Sequence, residues 1–172
     1  YLATEELIKQ GCQKIAIVSR NKTLSVNKQR LEGYRQALKD YGLEEIKDLQ
    51  ILLDVNQANY EGSRVAINQL IKNKVKFDGI FATNDWRAYG SLIALLENNI
   101  EVPKQVKVIG FDDIFISQSS HPSISTIKQD IPTLAKTASQ LLFDLMNDVA
   151  INDEQKRYII PVEVIRRDST KK

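Results

Sequence analysis

The sequence is poor in the residues that most covalent and metal-based functions require. Its 172 residues include one cysteine, Cys12, and one histidine, His121. A single cysteine cannot form an intrachain disulfide, and one cysteine with one histidine cannot supply the ligands of a standard zinc site. A Ser-His-Asp triad needs its histidine held between an acid and a nucleophile, and no nucleophile elbow accompanies His121. We therefore expect neither disulfide, nor zinc, nor triad catalysis.

Glycine and long apolar runs are also scarce. The chain has seven glycines, and no strand is followed by the glycine-rich, lysine-bearing loop that cradles nucleotide phosphates. No apolar segment approaches the roughly 20 residues of a membrane span. The beginning of the chain, YLATEELIKQG, lacks the basic start and apolar core of a signal peptide. We therefore expect no cofactor, no membrane contact and a cytoplasmic location.

Neither sign of charge dominates the chain. It has 24 basic and 22 acidic residues, which are interspersed and give a formal net charge of +2. Direct binding of nucleic acid needs positive charge clustered against the phosphates. The composition therefore predicts an ordinary soluble domain without a DNA-binding surface of its own.

Short β-branched runs alternate with longer segments of helical periodicity. The predicted strands are Lys14–Ser19, Leu49–Val55, Phe77–Ala82, Val106–Phe111, Ser123–Lys128 and Arg157–Ile165. The predicted helices are an opening helix that ends at Gly11, then Asn27–Tyr41, Tyr60–Asn73, Asp85–Asn98, Ile114–Ser119 and Ile131–Asn147. Strands that alternate with long helices indicate βαβ units. We predict an α/β fold, a three-layer, doubly wound parallel sheet with helices on both faces.

Ligands of such sheets bind at the carboxyl ends of the strands, beside the switch point of the topology. That rule selects the loop after Ser19 and the turns at residues 83–85 and 111–113. The last turn, in VKVIGFDDI, carries adjacent acids, Asp112 and Asp113. They have two interpretations: a site for Mg²⁺ or a phosphoryl group, or a turn in which Asp113 caps the following helix. The sequence favours the cap.

The turn at residues 83–85 is the stronger candidate for a ligand contact. Asp85 begins a helix, whose positive end stabilises a carboxylate by up to about 1 kcal/mol. Both of its oxygens are expected to be free to accept hydrogen bonds from ligand hydroxyls. Arg30, on the first turn of another helix, would donate to the same neutral ligand. An ordinary helix cap and a surface arginine are the alternative, and spacing alone does not decide between them.

Five segments carry a resemblance to a known family. They are RLEGYRQAL, FDGIFATNDWRAYGSLIAL, IEVPKQVKVIGFDDI, HPSISTIKQDIPTLAKTASQLL and IIPVEVIRRDS. In this order and spacing they resemble the effector-binding part of lactose-repressor (LacI/GalR) family transcription regulators, over essentially the whole chain. The resemblance implies a periplasmic-binding-protein-like fold of type I, in which two α/β lobes close on a small ligand. Only part of the first lobe is expected in this chain.

The resemblance also implies a set of ligand-binding positions. Arg30 and Asp85 resemble the effector-binding arginine and aspartate of the family, and Gln129 in TIKQD matches a position near the ligand. Gln57 stands where many members carry an aromatic ring that stacks on the effector. Trp86, beside Asp85, either contacts the ligand or packs at the helix start. The full candidate set is Arg30, Asp85, Gln129, Leu24, Val26, Gln57 and Trp86, of which Leu24 and Val26 match positions that vary with the effector.

The implied function is effector sensing rather than catalysis. Residues 1–129 and 157–169 are expected to form the C-terminal lobe and residues 130–156 a helix of the N-terminal lobe, and the DNA-binding head is expected to be absent from this chain. The expected partners are a sugar or sugar phosphate, with a purine less favoured, a second copy in a homodimer, and operator DNA bound through the head domain. The alternatives are a periplasmic-type sugar-binding transport receptor, and an enzyme that holds Mg²⁺ with Asp85, Asp112 and Asp113.

Overall fold

The computed structural model describes residues 1–21, 25–54, 56–147, 149 and 158–171. The strands are β1 (Ile15–Arg20), β2 (Gln50–Leu53), β3 (Gly79–Ala82), β4 (Lys107–Phe111), β5 (Ser125–Gln129) and β6 (Val162–Ile165). The helices are α1 (Leu2–Lys9), α2 (Ser25–Asp40), α3 (Asn59–Lys72), α4 (Asp85–Glu97), α5 (Phe115–Ser119) and α6 (Ile131–Met146), and a 3₁₀ turn at Lys47–Leu49 precedes β2.

The described strands form one sheet in the order β2-β1-β3-β4-β5-β6. β1 to β5 are parallel, as predicted, whereas β6 pairs with β5 in the antiparallel direction. This last strand begins at Val162, directly after Pro161; residue 157, where the sequence placed its start, lies outside the described residues. The chain leaves β1 toward one side for β2 and returns on the other side for β3. The switch point therefore lies between the carboxyl ends of β1 and β3.

Alternate residues of the central strands pack on opposite helical layers. In β1, Ala16 and Val18 belong to the core shared with α3 and α4, whereas Ile15 and Ile17 belong to the core shared with α1 and α2. Successive side chains of a strand point to opposite faces, so a strand buried on both sides is apolar throughout. The predicted three-layer architecture is confirmed.

Helix α6 differs from the other long helices because none of its residues is buried. Its start is well defined: the Asp130 carboxylate accepts a hydrogen bond from the backbone N–H of Thr133 at 3.0 Å, and Pro132 occupies the first turn. The exposed apolar side chains of this helix are Ile131, Leu134, Leu142, Phe143, Leu145 and Met146. None of the helices in the described ranges is long and apolar enough to cross a membrane.

Candidate functional site

Arg30 lies on the first turns of α2, beside the carboxyl ends of β1 and β3. Its Nη1 donates a hydrogen bond to the backbone oxygen of Thr83 at 2.5 Å, and its guanidinium stacks over the Phe111 ring, 3.8 Å from the ring centroid. Burial lowers the pKa of Arg30, while the nearby Asp112 carboxylate raises it. The side chain remains 20% exposed. The guanidinium of Arg30 is therefore fixed in orientation and still accessible at the carboxyl edge of the sheet.

Asp112 faces Arg30 from the turn after β4. Its Oδ1 accepts a hydrogen bond from Nε2 of Gln129 at 3.0 Å and lies 3.7 Å from Nη2 of Arg30. The residue has a φ of 112°, in a region that non-glycine residues occupy at a cost of about 1–3 kcal/mol and that is common at ligand sites. The Asp112 side chain is 32% exposed. The turn thus exposes the Asp112 carboxylate, although the backbone conformation that it requires is unfavourable.

The distance between Arg30 and Asp112 leaves hydrogen-bonding capacity for a third group. At 3.7 Å the two are attracted but are too far apart for a hydrogen bond, which needs about 2.7–3.2 Å. A ligand hydroxyl that lies beside the pair, within hydrogen-bond reach of both, accepts from the guanidinium and donates to the carboxylate. The Gln129 amide on the other side of Asp112 provides a further donor and acceptor. The three side chains together suit a neutral polyhydroxyl compound.

Asp85 does not have the two free oxygens that we predicted. Its side chain is 0% exposed; Oδ1 accepts from the Thr126 hydroxyl at 2.6 Å, and Oδ2 accepts from the backbone N–H of Ile114 at 2.8 Å. The physical reason lies in β4, where the absence of a side chain at Gly110 lets the carboxylate pack directly on the strand. Burial raises the pKa of Asp85 to about 6, although both hydrogen bonds oppose that shift.

Asp85 therefore positions the turn that carries Asp112. Its bond to the N–H of Ile114 lies two residues after Asp112, so the buried carboxylate holds the turn that presents the exposed one. A sequence cannot distinguish these two roles by residue type, because both acids follow a buried strand. Asp112 was visible in the sequence as a strand-end acid, but we assigned it to a turn.

Asp113 does not cap the helix that follows. The residue before α5 is Ile114, which provides no side-chain cap, and Oδ1 of Asp113 instead accepts from Nη2 of Arg167 at 2.6 Å. This ion pair links the turn after β4 to the segment after β6. Within the described ranges, no three histidine, cysteine, aspartate or glutamate side chains come close enough to hold a metal ion.

The other predicted residues within the described ranges are exposed at the surface. Val26 and Trp86, near the starts of α2 and α4, are each 47% exposed, and the Trp86 ring meets Tyr89 edge-on with centroids 6.4 Å apart. Gln57 is exposed, and its amide oxygen accepts from the backbone N–H of Asp54 at 2.9 Å. Leu24 lies outside the described residues.

Sequence reasoning missed four residues at the switch point. Thr83, directly after β3, binds Arg30 through its backbone oxygen and accepts from Nη1 of Arg87 through its hydroxyl at 2.7 Å. Asn84 is the N-cap of α4, and its side-chain oxygen accepts from the backbone N–H of Arg87 at 2.8 Å. Arg20 ends β1 beside them. The signal was available, since all four follow or end strands that meet at the switch point.

Comparison with known proteins assigns the family. The family model for the periplasmic binding protein-like domain matches residues 4–170. The chain therefore belongs to the periplasmic-binding-protein-like domain family. Within that family it is of the effector-binding type that lactose-repressor (LacI/GalR) regulators carry, as the following relatives indicate.

One curated relative is the HTH-type transcriptional regulator MalR of Clostridium butyricum. It is 31% identical over 170 residues, and the match covers 98% of this chain and 49% of that protein. The chain thus spans about half the length of the curated relatives that it matches.

Two solved structures share the fold. A sugar-binding transcriptional regulator of the LacI family from Escherichia coli, complexed with phosphate, has a TM-score of 0.85 and 30% identity, over 98% of this chain and 58% of that chain. The transcriptional regulator CelR in complex with cellobiose has a TM-score of 0.88 and 25% identity, over 97% of this chain and 50% of that chain. The predicted periplasmic-binding-protein-like fold is confirmed.

Proposed function

We propose that this chain is the effector-sensing domain of a DNA-binding transcriptional regulator. The effector is a sugar or a sugar phosphate, with a purine less favoured, and it binds in the cleft between two lobes. The protein acts as a cytoplasmic homodimer that binds operator DNA through a head domain. The observation that carries the proposal is the facing pair of Arg30 and Asp112, 3.7 Å apart at the carboxyl edge of the sheet. The curated relatives include several named as HTH-type transcriptional regulators, which favours this role over a transport receptor.

The chemistry of the site fits the binding of a polyol. Arg30 donates, Asp112 accepts, and Gln129 does both, while each hydroxyl of a sugar donates one hydrogen bond and accepts others. Phe111, beneath the guanidinium, restricts the side chain of Arg30 to a small number of orientations. Preorganised polar groups of this kind improve affinity because less conformational entropy is lost on binding. Val26, Gln57 and Trp86 are proposed to line the rim.

The lobes are proposed to divide the chain as the resemblance implies. Residues 1–129 and 157–169 form the C-terminal lobe, and residues 130–156 belong to the N-terminal lobe. Helix α6 lies within residues 130–156 and buries none of its residues, which supports this division. An effector that touches both lobes stabilises their closed arrangement, and the differential affinity sets how far DNA binding shifts. Coupling of about 1–3 kcal/mol is typical of such linkage.

The first prediction concerns the two facing charges. Arg30→Ala and Asp112→Asn in the full-length gene product should each weaken effector binding by at least about tenfold, which is about 1.4 kcal/mol, because each removes a partner of the same ligand hydroxyls. Binding is followed by Trp86 fluorescence across a panel of pentoses, hexoses, their phosphates and purines.

Arg35→Ala provides the matched control for Arg30. Arg35 lies further along α2, is partly exposed and pairs with Glu45 at 2.5 Å, away from the sheet edge. Its replacement should leave the affinity unchanged. Unaltered binding in both the Arg30 and the Asp112 variants would remove the site, and effector-independent DNA binding by the full-length product would remove the sensing role.

A further inference from the structure

Arg87 is a buried cation without a carboxylate partner. It lies in the first turn of α4 and is 4% exposed. Its Nη1 donates to the Thr83 hydroxyl at 2.7 Å, while its Nε has no hydrogen-bond partner. Burial, with smaller contributions from the charges of Arg20 and Arg30, lowers the pKa of Arg87 to about 10. An unpaired buried charge costs several kcal/mol, so a structural role alone does not account for arginine at this position.

Arg20, at the end of β1, repeats the pattern. Its Nη2 donates to the backbone oxygen of Gln57 at 3.2 Å and to Oδ1 of Asn59 at 3.3 Å, which are both neutral acceptors. Its Nε is also buried and has no partner. No ion pair within the described ranges includes Arg20 or Arg87. The guanidinium groups of Arg20 and Arg87 therefore each keep an Nε donor that no acceptor among the described residues uses.

These two arginines lie next to the site already described. Thr83 binds Arg30 through its backbone oxygen and Arg87 through its hydroxyl. The charges of Arg20 and Arg30 both act on Arg87, and Asp112 is the carboxylate whose charge acts on both Arg30 and Arg87. A neutral ligand would leave the excess positive charge unbalanced. An anionic group on the ligand would balance it.

Building on the proposed function, we propose that the effector carries an anionic group, a phosphate ester or a carboxylate, which binds at Arg20 and Arg87 while its hydroxyls bind at Arg30 and Asp112. A guanidinium group can donate two parallel hydrogen bonds to two oxygens of a phosphate or a carboxylate. Such charge-assisted hydrogen bonds are about twice as strong as neutral ones. The hydroxyl of Thr83 fixes one edge of the Arg87 guanidinium, whose Nε has no acceptor among the described residues. The effector is thereby an acidic sugar derivative rather than a neutral sugar.

The first test does not require the effector to be known. Inorganic phosphate should raise the melting temperature of the full-length gene product, and Arg87→Met and Arg20→Met should each reduce that rise at least twofold. Without phosphate, Arg87→Met should melt higher than the unmodified protein, because an apolar side chain of similar length replaces an unpaired buried charge. An equal phosphate effect in all proteins, no phosphate effect, or a lower melting temperature for Arg87→Met without phosphate would overturn the anion site.

The second test separates this inference from the function on which it rests. Calorimetric titrations compare glucose, glucose 6-phosphate, glucuronate and cellobiose, so that a phosphate ester and a carboxylate are distinguished. Arg87→Met should weaken binding of the charged ligands at least about tenfold and leave neutral ligands unchanged, whereas Arg30→Ala weakens both. Neutral sugars that bind equally to the Arg87 variant and more tightly than charged ones would overturn the inference alone. Phosphate binding without any sugar binding would overturn the proposed function alone.

Discussion

The carboxylate of Asp85 is held in the interior by two hydrogen bonds, yet burial still raises its pKa to about 6 from the ordinary 3.8. Between these two values the folded state binds more protons than the unfolded state. Stability therefore falls as pH rises through that window. The charged form persists at neutral pH because the Thr126 hydroxyl and the Ile114 N–H partly replace water.

Asp85→Asn should remove this pH dependence. The free energy of unfolding of the unmodified protein, relative to the variant, should decrease between pH 4 and about 6, and then level off. Urea denaturation at several pH values measures the difference. Asp168→Asn is the control, because hydrogen bonds from Ser123 lower the pKa of Asp168, so its contribution to stability does not decrease as pH rises from 4. A stability difference for Asp85→Asn that does not vary with pH would contradict the assignment.

The sequence located the site but could not assign its two acids. Three strand ends were identified because parallel strands deliver their carboxyl ends to one edge. The choice between Asp85 and Asp112 depends on Gly110, which makes room for one carboxylate, and on the left-handed backbone that turns the other outward. Both are tertiary facts that no local pattern encodes. Arg20 and Arg87 were missed because arginines at strand and helix ends are usually at the surface.

At the scale of elements, helical and strand periodicity predicted every main segment, with ends shifted by a few residues. The errors occurred where a distant partner decides the local structure. Asp113 was expected to cap α5, but Arg167, 54 positions later in the chain, takes its carboxylate. The sheet was predicted to be parallel, whereas β6 pairs with β5 in the antiparallel direction. Neither partner lies within the window of a local pattern.

Helices α3 and α4 pack closely where Gly90 faces the backbone of α3. A side chain at Gly90 would strike the carbonyl oxygen of Tyr60 and would lie 3.2 Å from Cβ of Ser63. Gly90→Ala should lower the free energy of unfolding by about 1–3 kcal/mol, the usual cost of overpacking. It should also weaken anion binding, since Arg87 lies one turn earlier on the same helix.

Gly62→Ala provides the matched control on the facing helix. There a new methyl group would meet side-chain atoms of Gln57 and Leu53 at 3.3 Å, which move more readily than backbone, and alanine is favoured in helices by about 1 kcal/mol. Urea denaturation compares the two variants. Equal stability of both would contradict the close approach at Gly90.

At the scale of the whole molecule, α6 presents an apolar face that the described residues do not cover. If α6 belongs to a second lobe, as proposed, Leu142→Ser should destabilise the full-length gene product by about 2–5 kcal/mol, the usual cost of replacing a buried leucine by a small residue. The same change in the 172-residue chain should have little effect, because Leu142 is 60% exposed there. Thermal denaturation of both lengths measures this, and equal effects would refute the lobe assignment. Gln140→Ser, on the polar face of the same helix, is the control.

The two bonds to Thr83 differ in kind, and this has a consequence for redesign. Arg30 is anchored to a main-chain oxygen, which every amino acid possesses, whereas Arg87 is anchored to a hydroxyl that a single codon change removes. The proposed hydroxyl-binding part of the site is therefore tolerant of substitution at its anchor, and the proposed anion-binding part is not. A biosensor for uncharged analytes is reached most directly by exchanging Thr83, Arg87 and Arg20 together, with the scaffold left as it is.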